Sequence, residues 1–426
     1  MNYRIFPPEG ILETTVSLPL SKSISARALV MAYLTPGVST LPTDGIADCA
    51  DTAILRHVLE SHRSGVANVG ACGTAMRFLT ALYASMPGHV CTLDGSERMR
   101  QRPVGPLVDA LRAMGANIEY LGETGYPPLK ITGMRLSGGH LEMDAGQSSQ
   151  FVSALMMVAP TMENELEIRL LGNVQSLPYI RMTAEMMRRR GVEVDLERDS
   201  VRVANSPYCR CVDDSEPDWS AATFWYEIAA LTAGWVTVEG LRKDALQGDR
   251  EIAPLFKRIG VLTDYTDEGA ELSATPDLYS RMDMDMTDMP DAVPAVAVSC
   301  AALGIPFRLT GVGALHHKEC DRLEAIRNEL LKIGIVAEYE KDDIFVWEGA
   351  RVPVASMPEI ETYNDHRIAM AFAPLSVFLP GIVIRDAEVV DKSYPDFWKA
   401  LLSAGFSVAD ADVPDSDGIQ NGEAEA

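Results

Sequence analysis

Lys22, Ser23 and Arg27 fall inside one stretch, Leu18-Pro-Leu-Ser-Lys-Ser-Ile-Ser-Ala-Arg27, that leads into an apolar helix expected over Ala26 to Leu34. Ser21, Ser23 or Ser25 can cap the free N–H groups of that helix, and the positive end of its dipole favours an anion. Lys22 and Arg27 add full charges at the same end. Hydroxyls and cations gathered at a helix start suit a phosphate or a carboxylate. Taken alone, the stretch reads more simply as a capped surface helix with solvated cations.

The pattern recurs, and recurrence changes that balance. Unusual polar residues open a series of apolar helices: Gly73-Thr-Ala-Met-Arg77, Gln147-Ser-Ser-Gln150, Pro290-Asp291 and Asn364-Asp-His-Arg367. A second series opens the helices that follow: Arg98-Met-Arg-Gln-Arg-Pro103, Ser176-Leu-Pro-Tyr179, Gln247-Gly-Asp249, Lys318-Glu-Cys-Asp-Arg322 and Asp391-Lys392. Helix capping explains the Ser, Asp and Asn residues. It does not explain Lys22, Arg102, Lys318, Arg322, Arg367 and Lys392, because a cation at a helix start opposes the dipole by a few tenths of a kcal/mol, roughly. A cleft built for a polyanionic ligand explains them all.

The elements that must position these residues form a repeat. Six segments, beginning near Ser23, Thr74, Ser149, Ser220, Asp291 and Asp365, each give an apolar helix, a Gly or Pro stop and a short strand. Those strands read GVSTL, HVCTL, LEIRLL, WVTVEG, PFRLTG and IVIRDA. A second helix follows, ending in a glycine and an alternating strand after Gly115, Gly191, Gly260 and Gly334, with Gly405 opening a truncated copy. Glycine there accepts the left-handed turn that closes a helix. A period of about 70 residues marks a stacked supersecondary unit, read as βαβαββ. Ser23 to Thr74 is roughly 20 residues shorter than the later intervals, so the first unit lacks room for its hairpin.

The fold class expected is therefore α/β: two pseudo-threefold domains from six βαβαββ repeats, the first shortened, with helices inside and sheets outside. One domain is expected over 21–215. The other joins 1–20 to 216–426, its acidic tail from about 409 to 426 lacking apolar periodicity and expected to be disordered. Tyr3 to Leu20 is read as a strand that crosses to the second domain, with the return near Ser215 to Pro217. Linkers at Leu18 to Ser21 and Asp214 to Asp218 then make a hinge.

Composition bounds the remaining possibilities. With 426 residues, two cores are the expectation, and 47% hydrophobic against 23% charged residues makes the chain globular. No apolar run approaches the roughly 20 residues of a membrane span, and Met1 to Gly10 lacks the apolar region of a signal peptide. Seven cysteines without a paired CxxC pattern fit buried thiols in a reducing compartment, which points to the cytoplasm and away from a zinc site. Cys209 and Cys211 alternate as in a strand. A net charge of −24 opposes nucleic-acid or anionic-membrane partners, so an anion site must be a local cationic pocket.

SKSxSxRAL, GTAMR, RPVG, SSQF, the Ser176-x-Pro-Tyr179 turn, QGD, MPDA, KECDRL, YNDHRIAM and the Lys392-Ser-Tyr-Pro-Asp396 segment, in this order, closely resemble the 5-enolpyruvylshikimate-3-phosphate synthase family. The resemblance runs from about Leu18 to Phe397. It implies transfer of the enolpyruvyl group of phosphoenolpyruvate to the 5-hydroxyl of shikimate 3-phosphate, releasing phosphate, in chorismate and aromatic amino-acid biosynthesis. It also implies the inside-out two-domain fold, a monomer with these two small-molecule substrates as partners, and no metal or other cofactor. Carried over by position, it gives Lys22, Ser23, Arg27, Ser148, Ser149, Gln150, Ser176, Asp291 and Lys318 to shikimate 3-phosphate, with Tyr179 close by. Lys22, Gly73, Arg102, Gln150, Arg322, Arg367 and Lys392 go to phosphoenolpyruvate. Asp291 is implied to take the 5-hydroxyl proton, while Glu319 and Lys22 deliver one to the enol methylene. Gly73, where Ala would intrude, implies sensitivity to glyphosate, an inhibitor of this family.

The chain also departs from the family pattern. Leu20 stands where Gly is usual, and Ala26, Ala71 and Ala314 stand where Asn is usual, which removes amide contacts while leaving the charged groups. Two rival readings are a sister transferase acting on a UDP-amino sugar and a non-catalytic phosphosugar-binding relative. The first expects a Cys in the loop before Arg102-Pro103, where Glu97-Arg-Met-Arg-Gln-Arg102 has none; Cys91 lies in the preceding strand as a core residue. The second has no use for both Asp291 and Glu319.

Overall fold

In the computed structural model, which describes residues 1–61, 64–146, 148–354 and 356–412, five four-stranded sheets share one wiring. A first strand runs parallel to a second, the second is antiparallel to a fourth, and the third completes a hairpin on the fourth's far side. Ser64–Asn68, Val90–Asp94, Asn117–Tyr120 and Leu129–Thr132 follow this rule. So do Gly139–Asp144, Leu166–Leu171, Val194–Leu196 and Ser200–Val203, and Met282–Asp285, Phe307–Thr310, Glu338–Lys341 and Ile344–Trp347. A parallel pair needs a long crossover. Helices Gly73–Ala84, Ser149–Val158 and Val293–Leu303 supply it in these three sheets.

The other two sheets borrow strands from the N-terminus. Glu13–Val16 is the parallel first strand beside Trp235–Glu239, in the sheet completed by Gly269–Ala274 and Val261–Tyr265. Tyr3–Phe6 is antiparallel to both Ile382–Ile384 and Ser407–Asp410. The stretch expected as one strand from Tyr3 to Leu20 is thus two strands in two sheets, because Pro7-Pro-Glu-Gly10 interrupts it. The expected glycine turns are present: Gly115, Gly191, Gly260, Gly334 and Gly405 have φ of 96°, 85°, 94°, 83° and 90°.

Burial separates the chain into two hydrophobic cores. One gathers residues from Ile24 to Tyr208. The other joins Ile5, Leu12 and Val16 to residues from Trp219 to Phe406. Helices Gly73–Ala84, Ser149–Val158, Trp219–Thr232 and Val293–Leu303 are buried nearly all round, as their apolar composition requires. The strands alternate instead: Leu166, Ile168 and Leu170 are buried while Glu167, Arg169 and Leu171 are exposed. Each such aliphatic residue contributes about 1.5–3 kcal/mol when fully removed from water.

The two connections between the cores lie side by side. Leu20 bridges Pro217, the Ser21 N–H donates to Glu216 O at 2.8 Å, and the Asp218 N–H donates to Pro19 O at 2.9 Å.

Three local expectations are corrected. GVSTL, residues 37–41, is not a strand, and among the described residues no strand lies between Val16 and Ser64. With the first unit's hairpin absent, a strand there has no ladder to join. Cys209 and Cys211 also lie outside any strand; the Cys209 N–H is satisfied by Arg190 O instead. Residues 409–412, expected to open a disordered tail, are ordered: Ser407–Asp410 pairs with Tyr3–Phe6 and the Asn2 amide donates to Asp412 at 3.0 Å. The rest of it, 413–426, lies outside the described residues, as does Gln147.

Candidate active site

Six helices, or the turns leading into them, begin at one cavity. Its wall includes Lys22 and Ser23, Gly73 and Thr74, Ser148 and Ser149, Asp218 and Ser220, Pro290 and Asp291, and His366 and Arg367. Each pair sits at the start of an apolar helix or of the turn leading into one. Four starts are capped from within: the side chains of Cys72, Ser148, Asp218 and Asp365 accept from backbone N–H groups of the first turn. The first helix starts at Lys22, a turn earlier than expected. Ser21 occupies its cap position without a side-chain cap bond, and Ser25 is structural, donating to Ser21 O and accepting from the Ala47 N–H.

The wall formed by the first core is rich in hydroxyls and unpaired guanidinium. Arg27 is 2% exposed and, among the described residues, has no carboxylate partner. It donates to Thr183 Oγ1 at 2.7 Å, Ser153 Oγ at 3.2 Å and Ser23 O at 2.9 Å, and lies 5.8 Å from the Tyr179 ring centroid. Arg77 donates to Gly73 O at 3.0 Å and Pro103 O at 3.3 Å, tying together the two loops that carry Gly73 and Arg102. Burial pushes Arg27 down to about 10 and, with Arg102 adding to it, Arg77 down to about 9, so both remain cations at neutral pH. Gln150 donates to Thr74 Oγ1 at 3.1 Å. Ser176 takes left-handed backbone, φ 56°, and its N–H crosses to Thr287 O of the second core at 3.0 Å.

The opposite wall interleaves carboxylates with cations. Asp291 is met by Arg322 at 2.9 Å, Arg367 at 3.0 Å and Lys318 at 3.4 Å. Burial alone would raise its pKa, but Arg367, Lys318 and Arg322 override that and hold it well below the ordinary carboxylate value. Glu319 is met by Arg322 at 2.9 Å and Lys392 at 3.0 Å, with Arg102 at 4.0 Å from the other wall. It too is held low against its burial, by Lys392, Arg102 and Arg322. Arg322, 1% exposed, forks onto Asp365 as well, at 2.8 and 3.3 Å. Lys318 is depressed by burial despite Asp291. His366 is buried, and among the described residues neither ring nitrogen is hydrogen-bonded; burial with Lys22 and Arg367 nearby keeps it neutral.

Every residue that the sequence singled out for the site reaches this cavity or its edge. Lys22, Ser23, Arg27, Gly73, Arg102, Ser148, Ser149, Gln150, Ser176, Asp291, Lys318, Glu319, Arg322 and Arg367 line it, as does Ala314. Lys392 joins through Glu319 and by donating to Ala71 O at 3.2 Å. Sequence reasoning missed Asp51, which lines the cavity and accepts from Lys22 at 3.0 Å. Burial would lower the Lys22 ammonium, but Asp51 overrides it and holds the pKa above its ordinary value. Arg98, quoted in the Arg98–Pro103 stretch but given no role there, spans the cleft to the carbonyls of Lys318 at 3.1 Å and Glu319 at 3.2 Å. Asp51 sits in the first turn of its helix, where acids are ordinary, so nothing marked it out. Among the described residues no group of His, Cys, Asp and Glu could hold a metal ion.

Chemically, the arrangement can grip two anions at once and offers carboxylates on one wall to move protons between them. Comparisons with known proteins point the same way. A family model described as EPSP synthase (3-phosphoshikimate 1-carboxyvinyltransferase) matches residues 55–401. A 3-phosphoshikimate 1-carboxyvinyltransferase from Bacteroides fragilis is 42% identical, covering 96% of this chain and 99% of that one. One from Syntrophobacter fumaroxidans is 36% identical over 94% of this chain and 99% of its own. In fold, the EPSP synthase structure from Acinetobacter baumannii superposes with a TM-score of 0.73 at 22% identity, covering 96% of this chain and 100% of that chain.

Proposed function

The chain belongs to the EPSP synthase family, and from that premise we propose how its cleft divides the work. The reaction is transfer of the enolpyruvyl group of phosphoenolpyruvate to the 5-hydroxyl of shikimate 3-phosphate, with release of phosphate, in aromatic amino-acid biosynthesis. Ser23, Arg27, Ser148, Ser149, Gln150 and Ser176 receive the shikimate phosphate and ring hydroxyls, with Lys22 and Lys318 at its edge. The observation carrying this assignment is Arg27, a buried guanidinium ringed by hydroxyls with no carboxylate among the described residues to neutralise it. Lys22, Gly73, Arg102, Gln150, Arg322, Arg367 and Lys392 receive phosphoenolpyruvate, whose carboxylate and phosphate suit planar guanidinium forks.

Protonation of the enol methylene makes the adjacent carbon electrophilic, the 5-hydroxyl adds as it gives up its proton, and loss of phosphate together with a proton from the new methyl group, returned to the acid that supplied it, restores the double bond. Asp291 takes the hydroxyl proton and Glu319 supplies the methylene proton. Both are held ionised before substrate arrives, Asp291 by Arg367, Lys318 and Arg322 and Glu319 by Lys392, Arg102 and Arg322. When the reactant anions claim Arg322 and Arg367, less positive charge is left for the two carboxylates, and their proton affinity rises toward a working range. Lys22, kept charged by Asp51, acts chiefly as an electrostatic partner of the developing anion. A phosphate-release assay tests the assignment: release requires both reactants. Release from phosphoenolpyruvate alone, or with a UDP-amino sugar as acceptor, would overturn it.

The same premise supports the finer architecture. Five sheets of one wiring and six helix starts at one cavity fit six repeats in two inside-out domains, the first repeat lacking its sheet. Domains of 21–215 and of 1–20 with 216–426 fit the two cores, and the paired connections at Leu20 and Pro217 are the hinge on this reading. Seven free thiols suit the cytoplasm, and no helix of the described residues is long and apolar enough to cross a membrane. The chain acts as a monomer on this reading, since both walls of the site come from one copy.

Gly73 gives a sharp test of the phosphoenolpyruvate side. A Cβ there would lie 2.5 Å from an Arg77 nitrogen and 2.7 Å from an Arg102 nitrogen, so both guanidinium groups must shift. Overpacking of this kind costs about 1–3 kcal/mol. Glyphosate inhibits the wild type, and Gly73→Ala raises its half-inhibitory concentration about tenfold or more and the KM for phosphoenolpyruvate by less. An unchanged inhibition curve would place glyphosate elsewhere.

A further inference from the structure

Asp249 is the odd carboxylate beside this cleft. It is 4% exposed, does not line the cavity, and makes no ion pair within reach of Lys, Arg or His among the described residues. Its partners are two hydroxyls. Tyr179, on helix Leu177–Arg189 of the first core, places its phenolic oxygen 3.1 and 3.3 Å from the two carboxylate oxygens. Ser220, in the first turn of helix Trp219–Thr232 of the second core, donates to the same carboxylate. The Tyr179 oxygen is therefore held from across the interface between the cores, and Tyr179 itself lines the cavity.

An ionised carboxylate only accepts hydrogen bonds. The proton in the Tyr179–Asp249 contact must come from the phenol, so it points away from the cavity. What Tyr179 then offers to a ligand is a lone pair. We propose that Asp249 is a positioning residue: by accepting the Tyr179 proton, it makes that phenol a hydrogen-bond acceptor for a ligand hydroxyl. This rests on the assignment of the Arg27 and Tyr179 wall to the polyhydroxylated reactant. A site built around an oriented acceptor discriminates against a partner lacking the matching donor, because the buried oxygen is then unpaired. The arrangement also explains why the hydroxyl contacts join the cores: the acceptor is fully oriented only with the two walls together.

The groups facing Asp249 are Tyr179, Ser220, Asp218 beside Ser220, Asp291 from the turn Pro290–Ala292, and Arg367 from helix His366–Phe372. Burial and the charge of Asp291 push Asp249 up to about 6, against Ser220 and Arg367, which lower it. Above that pH it is ionised and orients the phenol; below, it carries its own proton and the orientation is lost.

The test uses the full-length enzyme, with phosphate release followed while each reactant is varied, for wild type, Asp249→Asn, Tyr179→Phe and the double variant. At pH 7.5, roughly, Asp249→Asn raises the KM for shikimate 3-phosphate about tenfold and leaves that for phosphoenolpyruvate within about twofold. Tyr179→Phe does the same, and the double variant is no worse than the weaker single one, because one contact is lost either way. The ratio of Asp249→Asn to wild-type KM shrinks toward one as the pH falls below about 6, substrate protonation cancelling in the ratio. Multiplicative losses in the double variant, or a ratio that does not move with pH, would overturn the proposal. A weakened Tyr179→Phe beside an unaffected Asp249→Asn would overturn it alone. An unaffected Tyr179→Phe would overturn the assignment of that wall and the proposal with it.

Discussion

Asp291→Asn lowers kcat about 10³-fold and leaves both KM values unchanged or smaller. The side chain keeps its size and one of its two oxygens, which can still accept from Arg322, 2.9 Å from Oδ1, while the amide nitrogen takes the place of the Oδ2 that Arg367 meets at 3.0 Å. What is lost is a group able to take a proton as the 5-hydroxyl attacks, a role that contributes roughly 10² to 10⁴-fold. The variant also removes one negative charge from among three cations, which strengthens the grip on anionic reactants. A fall in kcat with no rise in KM therefore separates a base from a binding group. Lys318→Met, which touches the same carboxylate at 3.4 Å but bears no transferable proton acceptor, raises the KM for shikimate 3-phosphate instead. Phosphate release at saturating reactants checks both. An Asp291→Asn enzyme within about tenfold of wild-type kcat would remove Asp291 from the proton-transfer step and leave Glu319 or a bound water to do it.

Much of this was legible in the sequence because the informative residues sit where secondary structure is easiest to read. Cations at helix starts oppose the dipole, so Lys22, Arg102, Arg322, Arg367 and Lys392 stood out against a structural expectation. Glycine stops followed by alternating strands are where the sheets of matching strand order lie, and the strands alternate as they should. The unread partners come from distant chain positions. Asp51 reaches Lys22 across 29 residues, Thr183 and Ser153 reach Arg27 across 156 and 126, and Arg98 reaches Lys318 across 220. Periodicity reports which face of an element is buried, not which residue of another element meets it. The strand expected at GVSTL and not formed has the same origin: its residues have strand composition, but among the described residues no ladder pairs with them.

Arg322→Met unfolds the second core far more readily than any loss of substrate contact would suggest. The guanidinium is 1% exposed and meets three carboxylates, Asp365 at 2.8 Å, Asp291 at 2.9 Å and Glu319 at 2.9 Å. Methionine fills a similar volume, so packing is largely kept; the carboxylates lose their shared partner. Breaking a buried pair from one side costs about 3–5 kcal/mol, and here Arg367, Lys318 and Lys392 compensate only Asp291 and Glu319. Asp365, fully buried and capping helix His366–Phe372, keeps no comparable cation. The expected fall in Tm is roughly 10 °C, at about 2–4 °C per kcal/mol for a domain of some 200 residues. The sign of the pH dependence follows from Asp291 and Glu319, both depressed in the folded state. Their contribution is present above the unfolded carboxylate value of about 4 and is lost as the pH falls through their lower folded values. Removing Arg322 brings those folded values back toward the unfolded one, so the acid limb of the Tm profile flattens in the variant. Inorganic phosphate, filling the cationic pocket left by Asp291 and Glu319, stabilises wild type more than Arg322→Met. Equal Tm values at neutral pH, or parallel acid limbs, would mean that Arg322 serves the reactants alone and that the second core stands without it.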